Sequence, residues 1–557
     1  MLNKIPEDIL QKVIEQKSLS NQDLINLSST CLYLRNFILQ NNSLWKKQYL
    51  EKWSEIENSF QINDYFTEFR HASNIHRKVD EILINIATKF IDKEQLSDTV
   101  FEEFTEIVTS RYLNRQYTEN CLREIFTDHS KINTHDVVSL KTPGNLTLKY
   151  YSLLTLHYLK HEDLKNEWIQ FCSLKEEDQL LEIGIILLIQ WIKPQYNVKI
   201  EHFRNLFDEM TEKVKKHLKI SNPNHPLFKT NLNDLNLWRN KNIYENKFSW
   251  FYCEEILETM KQVMCEMIDF CGDEPDYTVK YPFIADVLES KEGEQITLAI
   301  IYQAIARRLG VHLQLIPVDF GCILKFVEHD TNNRKVHYVD VFEWDEAWFD
   351  FTLYGNSRCS PLMVIKKMIN SIKFILTERR QSVEQKALVK RSILELHQIV
   401  DPYDVEASIQ LTSYYRKHNI NTSPQKKPLE RHSESQKSIE RSLDVKFAVG
   451  MIMKHKLHNY SCVIYNWDPF PKITINSNYP WIQAMQKNQP YYYVLLASGA
   501  KKYVEQENLT FSGDKDGLDK NPEIGRFFTH FFNNSYVPNC VLNDKFPNDS
   551  EIRMNFC

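Results

Sequence analysis

The chain has 557 residues and a formal net charge of -6, with 42% hydrophobic and 25% charged residues. This balance is ordinary for a globular protein, the length suffices for several domains, and the charge excludes a whole-chain basic field that would draw nucleic acid. The 11 cysteines are scattered singly without a CxxC pair, a pattern of reduced intracellular thiols rather than disulfides or structural zinc.

The opening stretch MLNKIPEDIL has no apolar core or cleavage site of the signal-peptide kind. Residues 1–50 read as a compact helical unit. Pro6 suits a helix start, Glu7 and Asp8 lie in its first turn, and Ile9, Leu10, Val13 and Ile14 recur at helical spacing. SNQDLINLSST restarts a helix after Ser20, with Leu24 and Leu27 on one face, and a further helix ends near Leu44 and Trp45. So short a unit is marginal alone and is expected to dock against something.

Residues 51 to 235 read as many helices, with VFEEFTEIVTSRYL and FRNLFDEMTEKVKKHL carrying apolar residues at three- and four-residue spacing. No fixed-period repeat marks a solenoid. The longest apolar run, LLEIGIILLIQWI over 180–192, contains Glu182 and Gln190. It falls short of the roughly 20 residues that span a bilayer, so it is predicted to be a buried helix, and no membrane partner is expected.

From 236 to 420 the pattern becomes α+β. EGEQITLAIIYQAIARRLG (292–310) predicts a core helix opening on Gly293 and ending at Gly310. LQLIPVDF, GCILKFVEH and KVHYVDVFEW predict strands, with HDTNNR as a hairpin loop, and helices come next around 361–378 and 383–400. Residues 421–443 are polar and almost free of apolar side chains, as in a flexible linker. Beyond them, KFAVGMIMKHKLHNYSCVIYNWDPF and PYYYVLLASGAKKYVEQENLT predict a small β-barrel or strongly bent sheet. The aromatic-rich IGRFFTHFFNNSYVPNCVLND is expected to pack back on it.

Three resemblances enter at these residues. The first unit resembles an F-box through Ile5-Pro6, Ile9-Leu10, Leu24, Leu27, Cys31, Leu34 and Leu44-Trp45; Ile5 replaces the usual Leu. That resemblance implies binding to the Skp adaptor, and through it the cullin, of a ubiquitin ligase by Ile5, Pro6, Ile9, Leu10, Leu24, Leu27, Leu34, Leu44 and Trp45. Residues 177 to 420 are similar to the SirB-type transglutaminase-like family, with DQLLEIGIILLIQW, FRNLFDEM, YPFIADVLESKEGEQITLAIIYQAIARRLGV and YVDVF as the carrying motifs. The transglutaminase-like core lies at about 236–355, with helices after it and a helical linker region at 51–176 before the whole. Residues 444–557 resemble the YccV-like domain, named for hemimethylated-DNA binding, through VGMIMKHKLHNYSCVIYNWDP, NQPYYYVLL and YVEQENL, with a C-terminal extension. The implied fold class is multidomain: mainly α at first, then an α+β transglutaminase-like core, then a small barrel.

A transglutaminase needs a thiolate at a helix N-terminus, a His to take its proton and an Asp to orient the His. The resemblance places the nucleophile slot at Gln295 or Ile296, the His slot at Cys322 and the Asp slot at Asp340, so only the last is filled. A relocated triad of Cys322, His337 and Asp340 would need a bulge, because an odd separation puts His337 and Asp340 on opposite strand faces. No catalysis, cofactor or metal is therefore expected; a thiol acyltransferase or hydrolase using Cys322 is the alternative. In the barrel, Tyr465, Trp467, Asp468, Pro469, Trp481 and Tyr492 are candidate partner-binding residues. Interleaved lysines and aromatics there allow DNA as the competing partner, but no Arg occurs between 445 and 510, which disfavours base-edge readout. The expected role is a ubiquitin-ligase substrate receptor, intracellular in cytoplasm or nucleus.

Overall fold

The computed structural model describes residues 6–14, 19–57, 61–90, 93, 95–194, 199–264, 271–272, 292–293, 295–318, 321–329, 334–339, 359–377, 386–420, 438–471 and 489–556. They fall into two units: Met1–Leu156 with Ser423–Arg441 and Ile524–Cys557, and His157–Thr422 with Ser442–Glu523. No helix among the described residues is long and apolar enough to cross a membrane.

The first unit opens with short helices Glu7–Ile14, Asn21–Ser28 and Leu32–Leu39. The second starts after Ser20 as expected, and Ser20 caps it: its Oγ accepts from the Asp23 N–H at 3.2 Å, and Asp23 accepts from the Ser20 N–H at 2.9 Å. Helix Asn42–Glu57, kinked at Trp53, runs past residue 50 and lies along helix Tyr65–Lys89. Trp45 contacts Phe66 and Phe69 there, at centroid distances of 5.0 and 5.2 Å. The small N-terminal helices thus borrow a core from helix Tyr65–Lys89, as their size requires.

The C-terminal segment corrects the expectation that it packs back on the barrel. It clusters with the first unit instead. Its strands Phe528–Phe532 and Ser535–Pro538 form an antiparallel hairpin. Thr147 Oγ1 donates to the Phe528 carbonyl at 3.2 Å, and His530 Nε2 meets the Thr134 carbonyl at 2.7 Å. Gly525 lies so close to helix Leu146–Ser173 that a Cβ there would stand 2.1 Å from the Leu146 oxygen. The predicted linker, 421–443, lies outside the described residues up to 437. Its end is anchored: the Ile439 N–H donates to the Lys545 carbonyl, and Arg441 pairs with buried Asp549.

The second unit contains a large apolar core. Helix Leu181–Ile192 is buried almost all round, as the apolar run predicted. Helix Gln295–Arg308 ends at Gly310, whose φ of 81° is the left-handed cap; the Val311 N–H reaches back to the Ala306 carbonyl and the Gly310 N–H to Arg307. A Cβ at Gly310 would meet Trp238 at 2.8 Å. The three predicted strands form an antiparallel meander, Gln314–Val318, Gly321–His329 and Arg334–Val339, with the second in the middle.

The barrel strands Ile452–His455, Ser461–Asp468, Tyr491–Leu496, Lys501–Glu505 and Leu509–Phe511 form one antiparallel sheet. Its fourth and fifth strands lie at opposite edges. In a flat sheet those edges would stand about 19 Å apart, four spacings of roughly 4.8 Å. Yet only Gln506–Asn508 join them, a reach of about 13 Å from Glu505 to Leu509 even when extended. The sheet must curl, because the shortness of that link draws its two edge strands toward each other.

Candidate functional site

The N-terminal helices divide their apolar residues into two sets. Leu10, Leu24, Leu34, Leu44 and Trp45 are all buried, at 4% exposure or less, and Leu27 is half-buried. Trp45 Nε1 also donates to the Ile38 carbonyl at 2.8 Å. These side chains hold the unit together, which corrects their assignment as adaptor contacts. Each contributes about 1.5–3 kcal/mol by leaving water. Pro6 is exposed, Ile9 is 53% exposed and Val13 45%, so three apolar residues at helical spacing form a stripe facing outward. Ile25 and Leu32 are exposed as well, Leu32 at 77%. Ile5 lies outside the described residues. The F-box pattern did not single out Val13, Ile25 and Leu32 as contacts; their only sequence signal was being apolar off the core face.

In the transglutaminase-like region only some of the predicted triad slots lie among the described residues. Ile296 is buried at 4% on the first turn of helix Gln295–Arg308; the Gln295 side chain and Asp340 lie outside the described residues. Cys322 is fully buried opposite Pro317, and burial pushes its thiol up to about 12. His337 pairs with Phe326, four residues along the strand from Cys322, or about 13 Å at strand rise. Its ring stacks on Trp250 at 4.5 Å and 13°. Cys322 and His337 share a face yet are too far apart for a proton to pass between them. No cluster of three or more metal-ligating side chains occurs among the described residues.

What orders this region is a charge cluster that the sequence motifs did not mark. Glu182, buried in its apolar helix, pairs with Arg307 and, at 3.0 Å, with Arg308. Arg308 continues to Asp208 at 2.9 Å, and Asp208 to Arg239 at 2.8 Å. Burial alone would raise the Glu182 carboxyl, but the two arginine charges hold it below its usual value; burial brings Arg307 down to about 10. The signal was present: one acid inside the greasy run and two adjacent arginines ending a buried helix.

In the barrel, Trp467, Asp468 and Tyr492 are core residues, at 1%, 2% and 0% exposure, which corrects their candidacy as partner contacts. The Tyr492 hydroxyl donates to Gln506 Oε1 at 2.7 Å and accepts from the Phe447 N–H at 3.0 Å. Asp468 accepts from the Tyr503 hydroxyl at 3.0 Å. Tyr465 and Pro469 are half-buried beside exposed Phe470, and Trp481 lies outside the described residues. A separate basic-aromatic face carries Lys502, 4.2 Å over the Tyr460 ring, with His455 and His458 at 4.7 Å from each other.

The comparisons with known proteins match this layout. An F-box-like family model matches residues 2–51, a transglutaminase-like superfamily model residues 201–353, and a hemimethylated DNA-binding protein YccV-like model residues 445–535. Helical unit, α+β core and curled sheet thus each coincide with one matched model, F-box-like, transglutaminase-like and YccV-like in turn. From end to end the chain resembles F-box only protein 21. It is 22% identical to that protein from Pongo abelii, Homo sapiens and Mus musculus, over 99% of this chain and 92% of theirs. No solved structure matches the chain.

Proposed function

We propose that this chain is the substrate-recognition subunit of a Skp–cullin–F-box ubiquitin ligase. The observation that carries the reading is the outward stripe of Pro6, Ile9 and Val13 on a unit that matches the F-box-like model. An amphipathic helix face of this kind is a docking surface for a partner helix or groove. The adaptor and cullin bind here; partner subunits carry out lysine ubiquitination, and this chain contributes by positioning the substrate, with proteasomal degradation as the outcome. The transglutaminase-like region serves as a scaffold without chemistry, since Cys322 is buried with a raised thiol and His337 is engaged with Trp250. The barrel recognises protein rather than DNA: its basic residues bring charge without the planar guanidinium fork. An intracellular location, cytoplasm or nucleus, goes with these partners.

The test is co-purification of adaptor and cullin with the full chain. The double substitution Ile9→Asp and Val13→Asp changes only the outward stripe, so it should abolish co-purification while the circular dichroism spectrum and melting temperature stay near wild type. A folded double variant that still binds the adaptor overturns the reading.

A further inference from the structure

Helices Pro361–Thr377, Lys386–Val400 and Val405–Lys417 bring together two lysines in opposite chemical situations. Lys366 pairs with Asp401 at 2.5 Å and Asp404 at 3.1 Å, and the two carboxylates raise its amine above the ordinary value. Two turns later on the same helix, Lys373 faces an imidazole: its Nζ lies 3.1 Å from His397 Nδ1. The other nitrogen of that ring, Nε2, lies 3.3 Å from Asp404 Oδ2. Asp404 is itself fixed, because its Oδ1 caps the next helix by accepting from the Ala407 N–H at 3.0 Å. His397 is buried at 2% exposure while Lys373 is half-buried. The line Asp404–His397–Lys373 sets a carboxylate at ion-pair distance from a base and that base against an amine.

We propose that Lys373 is a modification site, the preferred amine of this chain for acylation by small acyl thioesters, with His397 as its base and Asp404 as the positioning residue. The Lys373 ammonium hands a proton to His397 Nδ1, and the freed Nζ lone pair attacks the thioester carbonyl. A C–N bond forms, the C–S bond breaks and the thiolate leaves carrying the electron pair; His397 returns its proton to the thiolate, and the second proton lost from the nitrogen passes to solvent. The products are an amide on Lys373 and a free thiol, with no change of oxidation state. The surroundings favour this. Burial lowers the Lys373 amine, helped by the Lys366 charge and opposed by Asp404 and Glu406. Burial also keeps His397 neutral and able to accept, helped by Lys373 and Lys366 and opposed by Asp404 and Asp401. A base placed on the reacting proton is the arrangement that accelerates such transfers.

The full chain is incubated with the acetyl thioester of N-acetylcysteamine, and site-resolved mass spectrometry tracks acetylation of each lysine against pH. Lys373 should acylate roughly tenfold faster than the median lysine, and faster still relative to Lys366, with a pH midpoint below that of exposed lysines. His397→Gln should bring Lys373 down to the median at an unchanged melting temperature. Wild-type acylation of Lys373 at or below the median overturns the proposal, and so does a folded His397→Gln variant that keeps the fast rate. Where that variant does not fold, the wild-type Lys373 to Lys366 ratio and pH midpoint decide.

Discussion

The hydroxyls of Tyr49 and Tyr117 share a hydrogen bond of 2.7 Å in the interior of the first unit. Tyr117 passes the contact on to Glu68 Oε1 at 2.8 Å, and Arg111 grips both Glu68 oxygens at 3.0 and 2.6 Å. This relay connects the F-box-like helices to the helices beyond residue 65, and burial with these bonds pushes the Tyr117 phenol far above its usual range. Tyr49→Phe removes one bond and should cost about 1 kcal/mol, whereas Glu68→Ala removes the bonds to Tyr117 and Arg111 together and should cost about 2–3 kcal/mol. Urea unfolding of the full chain, monitored at the first unit, measures both. Equal costs would contradict the relay.

A second expectation separates core from surface within the F-box-like helices. Leu34→Ala opens a cavity and should lower stability by about 2–5 kcal/mol, while Leu32→Ala, at a side chain 77% exposed, should change it by less than about 0.5 kcal/mol. Thermal melts of the two variants give the comparison.

The Glu182 cluster predicts a pH window. The folded carboxyl lies below its ordinary 4.5, so its stabilisation is fully present above the unfolded value and is lost as pH falls through the folded one. Unfolding of the second unit should therefore set in below about pH 4.5. Arg307→Ala removes one of the two arginine charges that hold buried Glu182, should cost up to about 3–5 kcal/mol, and should move the acid transition to higher pH.

Cysteine reactivity offers a direct check on the transglutaminase-like region. With its thiol pushed up to about 12 and fully buried, Cys322 should stay unlabelled by iodoacetamide at pH 7.5, while partly exposed Cys31 reacts. Rapid alkylation of Cys322 in the folded chain would restore the thiol-enzyme alternative.

Local structure was legible in the sequence wherever one short pattern decided it. The helix restart after Ser20, the helix end at Gly310 and the three strands all stand where spacing put them. Roles were less legible. Leu10 and Ile9 are adjacent and equally apolar, but one is inside and the other outside, and the family pattern does not distinguish a residue that supports a surface from one that forms it. In the strand Ser461–Asp468 most positions are buried on both faces, so alternation could not mark Trp467 as core. The destination of Phe528 was out of reach altogether, because its contact with Thr147 joins residues 381 positions apart.

Placing residues 524–556 in the first unit makes that unit discontinuous, so its folding waits on residues synthesised after the whole of the second unit. Domains ordinarily fold as they emerge, the N-terminal one first. Here the first unit lacks its hairpin, its Gly525 contact and the Arg441–Asp549 pair until translation has passed the barrel. A chain released before residue 524 leaves the first unit without part of its packing. The order of the chain thus sets the earliest moment at which the first unit can be complete.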